Sequence, residues 1–114
     1  RKQGNYMVAR NGWIADYNDP CSFLDMWYTD GGNNDAQYSN PEYDAMIDAA
    51  KATSDPAERM EYFHQAEDIL FNEDWVLGPI YFYTQKYMLK ENIDNIYYAP
   101  LGYFFFTHAT KTEA

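Results

Sequence analysis

The residues most specifically arranged for chemistry lie in one stretch near the start of the chain, Val8-Ala-Arg-Asn-Gly-Trp-Ile-Ala-Asp-Tyr-Asn-Asp-Pro20. A short strand would deliver Arg10. Gly12 removes a side chain and lets another backbone approach closely. Trp13 offers a broad flat face, and Asp16 follows three residues later. Together these could grip an extended, amine-bearing chain. Trp13 would screen the contact from water, and Asp16 would pair with an ammonium through a charge-assisted hydrogen bond, which is strongest where solvent is sparse. The same residues also fit a plain structural role, with Trp13 in a core and Asp16 capping a turn through its own backbone. The residues alone leave both readings open.

Other chemistries find less support. His64 and His108 are far apart and are backed by no HxxxH or CxxC spacing, so no metal site is expected. The run from Asp30 to Asp35 lacks the alternating carboxylates, the sixth-position glycine and the closing glutamate of a calcium loop. Gly31-Gly32 opens no helix and has no neighbouring base, so it does not read as a phosphate loop. No GxSxG is present. Cys21 stands alone beside an apolar run, where a cysteine is expected to pack rather than react. With eighteen Asp and Glu to choose from, any pair named for glycoside hydrolysis would be arbitrary. No catalytic residue and no cofactor are expected; an acidic hydrolase is the weakest of the readings.

Charge excludes further classes. Eighteen acidic against eight basic side chains give a net charge of −10, so the basic footprint of a nucleic-acid binder is missing. An anionic membrane surface would repel the chain for the same reason. Between Asn11 and Glu58 there are ten Asp or Glu and a single base, Lys51. That asymmetry fits a solvated acidic face, and also a site where one or two carboxylates attract a cation. At 114 residues the chain is at most one domain, yet 19% of it is aromatic, more than a minimal core requires, which favours a binding surface. Its abrupt start, without an initiator Met, suggests a piece of a longer protein.

The elements that must position these residues can be read locally. Tyr6 to Arg10 reads as a strand, and Gly12 to Pro20 as a loop with apolar anchors. Ser22 to Tyr28 reads as one or two helical turns capped by Asp19 or Ser22, and Thr29 to Asp35 as turns. Asn40-Pro41-Glu42 sets a cap, a proline and an early acid in helix-starting order, and Tyr43, Met46, Ile47 and Ala50 follow as a helical stripe. Asp55-Pro56-Ala57-Glu58 starts a second helix with capping-box spacing, and Met60, Phe63, Ala66 and Leu70 carry its stripe to about Asn72. The short link makes the two a helical hairpin. Ile80 to Thr84, Ile96 to Tyr98 and Tyr103 to Thr107 read as strands, with a polar turn from Lys90 to Asn95 and breakers at Pro100 and Gly102.

Gly12-Trp-Ile-Ala-Asp-Tyr-Asn-Asp-Pro20 resembles a stretch of the extracellular solute-binding proteins of peptide ABC importers, the oligopeptide- and dipeptide-binding family. Asp35-Ala-Gln-Tyr-Ser-Asn-Pro-Glu-Tyr-Asp44, the capped helix from Asp55 and the run Pro79-Ile-Tyr-Phe-Tyr83 are similar in the same order, so the resemblance extends from about Tyr6 to Thr107. It implies an α+β fold: a helical hairpin packed on short mixed strands, a C-terminal piece of a two-lobed periplasmic-binding-protein fold (class II-like). Residues 1–83 would belong to the second lobe, and residues 84–114 would cross back toward the first.

The family traps extended peptides between two lobes and passes them to membrane permease subunits, without chemistry. By resemblance, Asp16 pairs with the peptide α-ammonium, and the backbone from Gly12 to Ile14 lines the ligand strand. Trp13 walls a side-chain pocket, Arg10 meets the ligand's carboxylate end, and Tyr81 and Tyr83 line the cleft. The implied location is extracytoplasmic, in the periplasm or lipid-anchored at the outer face of the cell membrane. Ligand length is not legible, and the same fold also serves non-peptide solutes such as oligosaccharides or metal complexes. Keeping Asp16 in its motif favours a ligand with a free amine.

Overall fold

The computed structural model describes residues 3–113. Contacts divide the chain into two compact units, Arg1–Pro79 and Ile80–Ala114.

The first unit is helical. A single turn of helix, α1 (Cys21–Leu24), runs into a 3-10 turn, Asp25–Trp27. Helix α2 spans Pro41–Ala52 and α3 spans Pro56–Asp68, with a π-helical turn, Ile69–Glu73, continuing α3. Both long helices start where their caps dictate. The Asn40 side chain accepts from the N–H groups of Glu42 and Tyr43, and the Asp55 side chain from those of Ala57 and Glu58. Each cap satisfies donors that the first turn leaves unpaired. The expected return contact from Glu58 to the backbone of its cap is replaced by a relay. Glu58 accepts from the Thr53 hydroxyl, and that hydroxyl accepts from the N–H of Asp55. The α1 turn has no side-chain cap of its own. Asp19 instead accepts from the N–H of Cys21.

The stripes pack as their spacing requires. Tyr43, Ile47 and Ala50 of α2 meet Phe63 and Ala66 of α3 together with Ile69 and Leu70, and Cys21, Leu24 and Trp27 close the cluster. Cys21 is buried, in keeping with a packing role. Burial raises the Tyr43 phenol well above its ordinary range, and its hydroxyl donates to the carbonyl of Leu24. At the end of the helical run, Trp75 takes a left-handed conformation (φ 52°) and Val76 N–H donates back to Leu70 O. The chain therefore leaves the π turn with that carbonyl satisfied.

The second unit is sparser. Strand β1 (Ile93–Asp94) pairs antiparallel with β4 (Thr110–Lys111), and β2 (Tyr97–Tyr98) pairs antiparallel with β3 (Phe104–Phe105). The β2–β3 hairpin turns through Pro100 and Leu101, with Gly102 N–H donating to Ala99 O and Gly102 at φ 90°, where a side chain would be strained. Rings support the ladder. Tyr98 and Phe104, opposite one another, have centroids 4.9 Å apart, and Tyr87 meets Phe104 edge-on at 4.9 Å.

Two expected strands are absent as paired elements. Tyr6 to Arg10 and Ile80 to Thr84 form no paired strand among the described residues, and the chain bends at Met7. Their composition suits a strand, but a strand also needs a laddered neighbour to pair with. Phe82 is accordingly fully exposed. The strands that do form are two residues long, and β1 occupies the end of what the sequence reads as a polar turn.

Candidate functional site

The stretch from Trp13 to Pro20 lies against α1, and a recess of about 230 Å³ opens beside it. Trp13, Asp16, Tyr17, Cys21, Ser22, Asp25, Met26, Gly31, Gly32 and Asn33 line it. Trp13 is half-buried, and its indole Nε1–H is buried without a hydrogen-bond acceptor among the described residues. A buried donor of this kind is costly unless something accepts from it. The backbone N–H of Asp16 donates to Ser22 Oγ at 2.9 Å, and Ser22 is itself buried. The main chain at Asp16 is thus anchored while its carboxylate stays exposed.

Three carboxylates stand on or beside the recess, and their partners differ. Asp19 receives both terminal nitrogens of Arg59, Nη1 to Oδ2 at 2.7 Å and Nη2 to Oδ1 at 2.9 Å. That fork, helped by the Cys21 N–H and opposed by desolvation, holds the Asp19 carboxyl below its usual range. Asp25 pairs with Lys51 of α2. The Asp16 carboxylate has no hydrogen-bond or ion-pair partner among the described residues. Of these three carboxylates, Asp19 and Asp25 are neutralised and Asp16 is not, among the described residues.

The opposite wall is a stapled loop. Asn34 Nδ2 donates to the carbonyls of Tyr28 (3.1 Å) and Tyr38 (2.7 Å), and its Oδ1 accepts from Tyr38 N–H. Thr29 N–H donates to Asp44 on α2 at 3.0 Å. A Cβ at Gly31 would stand 2.9 Å from the Tyr28 carbonyl, so the loop closes this tightly only with glycine there. Turn composition alone marks this segment in the sequence. Its place across from Asp16 depends on α2, which is why Gly31, Gly32 and Asn33 escape a sequence-based site list.

Of the residues singled out from sequence, Trp13 and Asp16 come together at the recess. Gly12, Ile14 and Arg10 lie on exposed chain outside its lining, with Ile14 73% exposed and the Gly12 N–H donated to Asn11 Oδ1. Tyr81 and Tyr83 belong to the second unit, where they are exposed and meet edge-on at 4.8 Å. Among the described residues no cluster of three or more His, Cys, Asp or Glu could hold a metal ion, and no helix is long and apolar enough to cross a membrane.

No family model matches the chain. It is 34% identical over 106 residues to the oligopeptide-binding protein OppA of Bacillus subtilis, an alignment covering 92% of this chain and 19% of that protein. It is 38% identical to the periplasmic oligopeptide-binding protein OppA of Salmonella typhimurium, covering 85% of this chain and 19% of that one. The structure superposes on the substrate-binding domain of an oligopeptide ABC transporter from Bacillus anthracis with a TM-score of 0.83 and 29% identity, over 90% of this chain and 20% of that one. The chain is homologous to the oligopeptide-binding proteins of ABC transporters. It spans about a fifth of the length of the curated relatives it matches. Its helical hairpin and short strands follow that fold. These relatives are named as binding proteins, not as enzymes.

Proposed function

We propose that this chain forms part of the ligand cleft of a peptide-capturing component of an ABC importer, and that Asp16 receives the α-ammonium of the bound peptide. The observation that carries the reading is the unpaired state of Asp16 beside a recess whose neighbouring carboxylates, Asp19 and Asp25, already hold Arg59 and Lys51. An ammonium entering there meets one available carboxylate on an anchored backbone. Trp13 walls the same recess. The backbone from Gly12 to Ile14, exposed beside the recess, lies against the ligand strand. Gly12 N–H exchanges its contact with Asn11 for a ligand carbonyl.

Arg10 faces the carboxylate end of the ligand, and Tyr81 and Tyr83 contribute a second, aromatic surface to the cleft. In this reading residues 1–83 lie in one lobe and residues 84–114 cross to the other. The intact protein works outside the cytoplasmic membrane, catalyses nothing, and passes peptide to permease subunits. Names of the relatives support the class of ligand; the amine grip rests on Asp16.

A ligand that binds the native state raises the unfolding midpoint by mass action. Thermal unfolding of the intact protein with a tetrapeptide, beside its N-acetylated twin, tests the reading. The free-amine peptide is expected to raise the midpoint and the acetylated one to raise it far less. Equal shifts from both, or none from either, would reject the amine grip.

A further inference from the structure

The unpaired Asp16 sits on an irregular loop, and a site on a loop needs a rigid reference. Two contacts supply one. Ser22 Oγ accepts the Asp16 N–H, and Ser22 N–H donates to Asp19 O at 3.1 Å. The Asp19 carboxylate, besides accepting from Cys21 N–H, is clasped by Arg59, forty positions later on α3. Arg59 is braced in turn, its guanidinium lying 4.6 Å over the ring of Phe63, which is almost wholly buried. A continuous chain of contacts thus runs from the hairpin core through Arg59, Asp19 and Ser22 to the backbone of Asp16. We infer that Asp19, Arg59 and Ser22 are positioning residues that fix where the Asp16 carboxylate stands, and thereby set the protein's preference for a free amine.

Two features distinguish this from a contact that merely adds stability. A fork is directional: two parallel N–H···O bonds hold the carboxylate in one plane, which a single lysine contact would not. The fork also occupies both oxygens of Asp19, so that this carboxylate of the same loop does not compete with Asp16 for the ammonium. The same pair thus bears on both the position of the acceptor and the removal of one competitor.

The inference rests on the amine reading of Asp16, and its test separates the two. In the intact protein, dissociation constants are measured by titration calorimetry for a tetrapeptide and its N-acetylated twin, and their ratio is taken as amine preference. The double variant Asp19→Asn, Arg59→Met abolishes the fork without changing net charge, so an altered ratio reports position rather than field. The ratio is expected to fall about tenfold in that variant and about threefold in Ser22→Ala, with the acetylated peptide bound nearly as in the wild type. A general loss of stability would weaken both peptides alike and leave the ratio unchanged. Wild-type amine preference retained in folded variants would overturn the positioning role while leaving Asp16's role intact. A wild type with no amine preference would overturn both. Ser22→Ala removes one oxygen from the protein, so it decides the matter where the double variant fails to fold.

Discussion

The first 79 residues and the last 35 were built from equally suggestive sequence, and they fold to very different degrees. In the helical unit, each element closes most of its hydrogen bonds within itself, and its apolar stripe finds a partner a few residues away. Tyr43, Ile47, Phe63 and Leu70 are sealed from solvent. In the second unit, Ile80, Phe82 and Met88 are at least 86% exposed, although their residue types are as apolar. A helix carries its ladder with it, whereas a strand must borrow one.

That contrast can be broken by mutation. Leu70→Ala opens a cavity in the helical core and is expected to cost about 2–5 kcal/mol, read from denaturant unfolding followed by helical circular dichroism. Retained stability would mean that the hairpin core is not what holds the unit. Removing either cap, Asn40→Ala or Asp55→Ala, is expected to cost about 1 kcal/mol in the same assay. No change in either would deny that caps set the helix starts.

Acid should act more gently. Asp19 and Asp74 are held below the ordinary carboxylate range, the first by the Arg59 fork and the second by hydrogen bonds from Tyr38 and Asn40. Groups depressed in the folded state stabilise it above their unfolded pKa, about 4. That contribution is lost as pH falls through their lower folded values. The helical signal should therefore weaken below about pH 4, and Asp19→Asn should flatten part of the fall. An unaltered acid profile in that variant would argue against a folded-state Asp19–Arg59 pair. The smallest effect is expected at Phe82→Ser, within about 0.5 kcal/mol, since the side chain touches little that folding buries. A larger loss would show that residues 80–84 are engaged after all.

Legibility in the sequence follows the same division. Asn40-Pro41-Glu42 and Asp55-Pro56 mark both helix starts to the residue, because capping is a matter of two or three positions. The strand composition of Tyr6 to Arg10 and Ile80 to Thr84 is equally plain, yet pairing depends on residues elsewhere. At the site, Gly12 to Pro20 stands out by its residue types, and Trp13 and Asp16 do share a recess. What could not be read is which of the acids at the recess is available. That depends on Arg59 reaching Asp19 across forty residues and Lys51 reaching Asp25 across twenty-six. The loop from Gly31 to Asn33 is similarly placed by contacts with α2 that no local pattern announces.

The central claim is that Asp16 is the acceptor for a ligand amine. Its most direct test is titration calorimetry of Asp16→Ala in the intact protein, with a free-amine tetrapeptide and its N-acetylated twin. Removing one partner of a desolvated charge pair should weaken binding of the free-amine peptide by about 2–5 kcal/mol, roughly 30-fold or more, and leave the acetylated peptide nearly unchanged. A loss of less than tenfold for the free-amine peptide, or an equal loss for both, would contradict it.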